Sequence, residues 1–119
     1  MSERVSWMLH MQVRDGQTEA LRALIPEMVQ ATEADEPGTL AYEWYLSADG
    51  ATCHLYECYA HSAAAMVHVG NFGAKFAERF LAALAPTELT LYGPASPALR
   101  EALAGFGAVP LAEAGGFRR

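Results

Sequence analysis

Two groups capable of acid-base work, the Glu57 carboxylate and the His68 imidazole, crowd with the hydrogen-bonding Asn71 amide into one stretch, Thr52 to Phe76, TCHLYECYAHSAAAMVHVGNFGAKF. Glu57 falls in an alternating segment whose same-face neighbours are Cys53, Leu55 and Tyr59. An ionised carboxylate there needs hydrogen-bond donors, or its pKa must rise. Acids perturbed in that way mark functional sites, while a Glu satisfied by tyrosine or backbone donors, holding a helix on a sheet, uses the same pattern. His68 stands one helical turn before Phe72, which puts both on one face if the helix continues through Gly70. A neutral imidazole near pH 7 takes a proton from a phenolic or quinol hydroxyl, whereas a histidine that only props the helix needs no such partner. Tyr42 and Trp44 upstream, with Phe72 and Phe76, offer a slot for a flat aromatic substrate, and each taken singly also fits an ordinary core. His10, His54 and His61 share no face that the pattern defines and are read as surface or interface residues.

The elements that must position these groups follow from periodicity. Residues 4–14 alternate, with Val5, Trp7, Leu9, Met11 and Val13 on the strong face, and Asp15-Gly16 then turns the chain. Leu21, Leu24, Ile25, Met28 and Val29 form a helical stripe to about residue 35, with Pro26 predicting a kink or break. Glu36-Pro37-Gly38 stops that helix. A second strand places Leu40, Tyr42, Trp44 and Leu46 on one face, and Asp49-Gly50 supplies the hairpin turn into a third, Thr52 to Ala60. Ser62 is the expected N-cap of a helix to about Gly70, Asn71 the cap of a second piece carrying Phe72, Phe76, Phe80 and Leu84, and Pro86 its end. Glu88 to Tyr92 form a fourth strand. Ser96-Pro97 opens a short helix with Leu99, Ala102, Leu103 and Phe106, and Val109 to Leu111 suit an edge strand because of Pro110. Gly115 to Arg119 read as a mobile or partner-docked tail.

The order β-α-β-β-α-β is the ferredoxin-like split unit, an α+β fold with an antiparallel sheet and helices on one face. The other face needs a cover, and a second copy of the sheet is the simplest one.

Composition narrows the function classes. The chain has 119 residues, 52% hydrophobic and only 18% charged, which suits one domain with apolar surplus for an interface or a ligand pocket. A formal charge of −6 with scattered Lys and Arg argues against a nucleic-acid partner. No apolar run approaches the roughly 20 residues that span a bilayer, and the start has no cleavable leader, so the expectation is a cytoplasmic protein with no membrane partner. Cys53 and Cys58 lie five apart in a strand and face opposite ways, which suits buried thiols better than a disulfide. Neither they nor the histidines sit at metal-ligand spacing. Dinucleotide, phosphate and nucleophile-elbow motifs are missing, so an oxidation here draws its electrons from the substrate.

Glu36-Pro37-Gly38 with Tyr42, Leu55-x-Glu57-x-Tyr59, Ala65-x-x-His68, Phe72 and Phe76 together resemble the antibiotic biosynthesis monooxygenase (ABM) domains, over roughly residues 4–94. The resemblance implies a dimeric α+β barrel, with residues 1–95 as the ABM-like domain. Residues 96–119 are then an extension packed on the same domain or on the dimer partner. It implies a Glu on the third strand and a His on the following helix, matched by Glu57 and His68. Many members carry a second His just before the phenylalanine matched by Phe72; here that residue is Asn71. The activity implied is a monooxygenase that needs no bound cofactor, takes O₂ as co-substrate and oxidises a small aromatic phenol or quinol as a homodimer. His68, Glu57 and Asn71 would form its catalytic set, and Tyr42, Trp44, Phe72 and Phe76 would hold the ring. The alternative is a non-catalytic dimeric module that binds a small apolar ligand, for which a greasy cleft suffices.

Overall fold

The computed structural model describes residues 2–119. Its elements in chain order are β1 (Val5–Val13), α1 (Thr18–Asp35), β2 (Thr39–Leu46), β3 (Thr52–Tyr59), α2 (Ser62–Lys75), α3 (Ala77–Ala83), β4 (Leu84–Tyr92), α4 (Pro97–Leu103), a 3₁₀ turn (Ala104–Phe106) and β5 (Val109–Leu111). The sheet order is β2-β3-β1-β4-β5. Its first four strands are antiparallel and have the ferredoxin-like arrangement, and β5 adds to β4 in parallel. The sheet is open. Among the described residues no helix is long and apolar enough to cross a membrane.

Alternation along β1 sends Val5, Trp7, Leu9 and Met11 toward the helices, where they meet Cys53, Leu55 and Tyr59 of β3 and Leu89 and Leu91 of β4. From above, α1 contributes Leu21, Leu24 and Met28, α3 contributes Phe80 and Ala83, and α4 contributes Leu99 and Leu103. Residues 96–119 therefore begin with a helix seated in the core of their own chain. The Ser96 hydroxyl caps it by accepting from the Leu99 amide at 3.2 Å, and the Ser96 amide donates to Ser62 Oγ on α2 at 2.9 Å.

Several sequence expectations need correction. Helix α1 runs unbroken through Pro26, because that residue faces solvent and water can satisfy the carbonyl it leaves without a donor. Leu40 does not join Tyr42, Trp44 and Leu46: a register shift between Thr39 and Ala41 turns it outward, and it is 49% exposed. The cap of α2 is His61, whose Nδ1 accepts from the Ala64 amide at 3.1 Å, while Ser62 serves α4. Asn71 caps nothing, since α2 continues through Gly70 and Asn71 to Lys75 and the break comes at Phe76. Strand β4 starts at Leu84, with Pro86 beside the register shift between His10 and Met11, where a missing donor is tolerated. His10 and His54 do share a face, stacking across β1 and β3 with centroids 4.1 Å apart.

One close approach sets the spacing between β2 and α2. A Cβ built on Gly38 would lie 2.6 Å from the Ala64 Cβ, so the turn that follows α1 rests directly on α2. Gly38→Ala is expected to lower stability by about 1–3 kcal/mol, as overpacking in a filled contact does. Urea unfolding measures this, and an unchanged midpoint would show that α2 can yield without strain.

Candidate active site

Glu57 lies on β3 directly opposite Trp7 of β1, which decides its environment. The Trp7 indole Nε1 donates to Glu57 Oε2 at 2.5 Å, and the Tyr59 hydroxyl donates to Oε1 at 2.6 Å. His68 reaches down from α2 and approaches Oε1 with Nε2 at 3.1 Å. On its other side, His68 Nδ1 lies 2.8 Å from Oε1 of Glu36, the residue at the C-terminal end of α1. Glu36 is held in turn by the Thr39 hydroxyl (2.9 Å to Oε1) and by the Asn71 amide nitrogen (3.2 Å to Oε2). Glu36, Glu57 and His68 are 6%, 3% and 6% exposed, so an imidazole is clamped between two buried carboxylates.

That clamp biases the charge. Burial disfavours the imidazolium, but hydrogen bonding and charge from Glu57, and then from Glu36, outweigh it and raise the His68 pKa above its ordinary 6.5. In the protonated form both ring nitrogens donate, each to a carboxylate, so the clamp favours the imidazolium, whereas the sequence suggested a free neutral imidazole awaiting a proton. Burial, and next the Glu57 charge, push the Tyr42 and Tyr59 phenols upward, so both stay protonated. Burial lifts the Cys53 thiol to about 12, which keeps it inert.

Glu57 and His68 form the polar wall of a cavity of about 50 Å³, lined otherwise by apolar and aromatic side chains. Trp7, Leu9, Leu55, Phe80 and Leu89 make its buried floor, and the half-buried Tyr42, Val69, Phe72 and Phe106 make its sides. Sequence reasoning thus brought together Glu57, His68, Tyr42 and Phe72. Asn71 joins the network one step away, through Glu36. Trp44 and Phe76 do not line the cavity: Trp44 packs edge-on against Phe80 at 6.0 Å, and Phe76 sits at the break between α2 and α3 under the Arg79 guanidinium. The Trp44 Nε1 is buried with no partner among the described residues.

Sequence reasoning missed Glu36, Trp7 and Phe106. In the sequence Glu36 reads as a helix stop and as part of the family motif but not as a site residue, yet it carries a local conflict, a carboxylate at the negative end of a helix dipole, and such conflicts point to a function for the residue. Trp7 could be found only from strand register, and Phe106 only from the path of the chain after β4.

The site and fold define a small α+β protein with a ferredoxin-like sheet and a buried carboxylate–imidazole–carboxylate unit beside an aromatic cavity. Residues 5–83 match the sequence model of the family described as antibiotic biosynthesis monooxygenase, and the chain belongs to that family. It is similar to MupZ from Pseudomonas fluorescens, with 21% identity, a TM-score of 0.87, and 99% of this chain and 96% of that one covered. Rv0793 from Mycobacterium tuberculosis is 30% identical with a TM-score of 0.58, covering 80% of this chain and 98% of its own. SnoaB, a cofactor-independent oxygenase from Streptomyces nogalater, is 13% identical with a TM-score of 0.66, covering 80% and 96% respectively. No curated protein sequence matches the chain.

The raised His68 pKa has a definite consequence for stability. The folded chain holds this proton more tightly than the unfolded chain, so the contribution is complete below 6.5 and is lost as pH rises through the folded value. Stability from urea unfolding is therefore expected to fall as pH rises above about 6.5, and His68→Gln should remove that fall. Equal pH slopes for the two proteins would contradict the clamp.

Proposed function

We propose that this chain is a monooxygenase that oxidises a small phenol or quinol with O₂ and no bound cofactor. The observation that carries the reading is the pair Glu57 and His68, backed by Glu36 behind His68, placed as the polar wall of an otherwise apolar, aromatic cavity. Support for the reaction class comes from the family and from the oxygenase activity of SnoaB.

The work divides among several residues. Glu57 already accepts from Trp7, Tyr59 and His68, and has lone-pair capacity left on Oε2 for a substrate hydroxyl. It takes the hydroxyl proton, and the fixed His68 cation keeps the resulting phenolate favourable in a site that excludes water. Glu36, steadied by Asn71 and Thr39, keeps His68 charged and oriented. The carbanionic form of the phenolate passes one electron to O₂, and the radical pair combines to a carbon-bound peroxide that recovers the proton from Glu57. That carbon carries a hydrogen: its loss as a proton while the O–O bond breaks expels water and leaves the quinone carbonyl, with one oxygen atom in the product and the other in water. Tyr42 and Phe72 hold the ring. A second copy of the chain covers the bare sheet face, where Met8, His10, His54, Tyr56 and Tyr92 lie, and makes the working homodimer.

A second reading, a non-catalytic module that binds a small apolar ligand, is favoured by one specific observation: both nitrogens of His68 are already engaged. Oxygen-electrode measurements with anthrone and a panel of reduced naphthoquinols separate the two. Protein-dependent uptake is expected, and Glu57→Gln should lower kcat by about 10²–10⁴-fold. Uptake unchanged in Glu57→Gln would overturn the assignment of the base, and binding without any uptake would favour the second reading.

A further inference from the structure

The cavity at the candidate site is too small for the ligand its walls suggest. It measures about 50 Å³, whereas an engineered apolar cavity that takes up benzene has about 150 Å³. A phenol can enter only if a side chain on the outer side moves away. Four half-buried residues stand there, and they are not equally free. Tyr42 is fixed in the middle of β2, paired with Glu57 across the ladder, and Val69 and Phe72 belong to the interior of α2.

Phe106 differs from these. It ends a single 3₁₀ turn, between Gly105 and Gly107, in chain that lies beyond the family match ending at residue 83. Gly107 has φ +71°, which side chains rarely adopt, so its glycine is required by backbone conformation. Gly105 has no positive φ, and a Cβ added there would meet no atom within 4 Å. Its lack of a side chain answers to no packing requirement, and a glycine restricts the backbone next to Phe106 less than any other residue would. The turn is nevertheless anchored: Leu99 and Leu103 of α4 are buried in the core immediately before it, and β5 pairs with β4 immediately after it. Phe106 thus sits on a short turn between two fixed segments, closed by the Gly107 amide donating to the Ala104 carbonyl at 2.9 Å, with its ring packed on the core and forming a wall of the cavity.

We propose that Phe106 is the specificity-determining residue of this pocket: the added C-terminal segment supplies a movable wall whose ring sets how wide an aromatic ligand the site admits. This rests on the pocket assigned under the proposed function but requires no turnover. The ligand class is a hydroxylated fused aromatic, with the hydroxyl at Glu57 and the far edge of the rings against Phe106. Replacing Phe106 by Ala removes the wall and enlarges the cavity toward solvent. Replacing Gly105 by Ala keeps the wall and stiffens its hinge.

Isothermal titration calorimetry with 1-naphthol and 1-hydroxypyrene tests this on the full chain. Phe106→Ala is expected to shift the affinity ratio toward the four-ring phenol by at least tenfold relative to the unsubstituted protein. Gly105→Ala is expected to slow the binding of 1-naphthol severalfold in stopped-flow measurements without reversing the ratio. Circular dichroism melting confirms that each variant is folded; if Phe106→Ala does not fold, Phe106→Leu takes its place and should shift the ratio in the same direction. An affinity ratio unchanged within twofold, or no binding of either phenol to either protein, would overturn the proposal. Failure of oxygen uptake alone would leave the ratio as expected and would count only against the oxygenase reading.

Discussion

Two carboxylates and one imidazole, all almost completely out of water, form the constraint on which the rest of this structure depends. Burying any one of them alone would be costly, and removing one partner from such a set typically costs about 3–5 kcal/mol because it strands the other charges. The fold meets that requirement from four separate elements. Trp7 of β1 and Tyr59 of β3 donate to Glu57, Thr39 of β2 and Asn71 of α2 donate to Glu36, and His68 of α2 joins the two acids. A network of this kind fixes how α2 lies on the sheet more sharply than apolar packing would, because each bond has a narrow range of distance and direction.

The surrounding architecture supports that arrangement. Gly38 allows the turn after α1 to touch Ala64, which brings Glu36 within reach of His68 on the same helix one turn further along. The continuity of α2 through Gly70 keeps His68, Asn71 and Phe72 on one rigid rod, so that a single helix supplies the imidazole, a donor to Glu36 and an aromatic side of the cavity. The C-terminal helix ties into α2 through Ser62 and Ser96 and delivers Phe106 to the same place. A site and a core share nearly every residue here.

Much of the fold was legible because it rests on short-range pattern. Alternation in β1 and β3, the Asp49-Gly50 hairpin and the Ser96-Pro97 helix start each act within a few residues, and the βαββαβ order follows from them. Glu57 was legible for the same reason, as a carboxylate on an apolar strand face. Its partners were not, because Trp7 and Glu36 come to it through strand register and the packing of α1 against α2, which no local pattern encodes. The setting of His68 was legible only in part on the same account: spacing suggested a free imidazole, and the structure places it between two carboxylates that favour its protonated form. Trp44 and Phe76 had the right period for a substrate slot, but periodicity gives the face of an element and not how far along it the cavity extends.

The central claim is that Glu36 and Glu57 hold His68 between them and so favour its protonated form. A nitrogen-15 NMR titration of the histidine rings tests it most directly, since a cation shows both Nδ1 and Nε2 in the protonated range. His68 is expected to lose its second ring proton at a pH above the ordinary 6.5 of a free imidazole. A midpoint at or below 6.5 would contradict it.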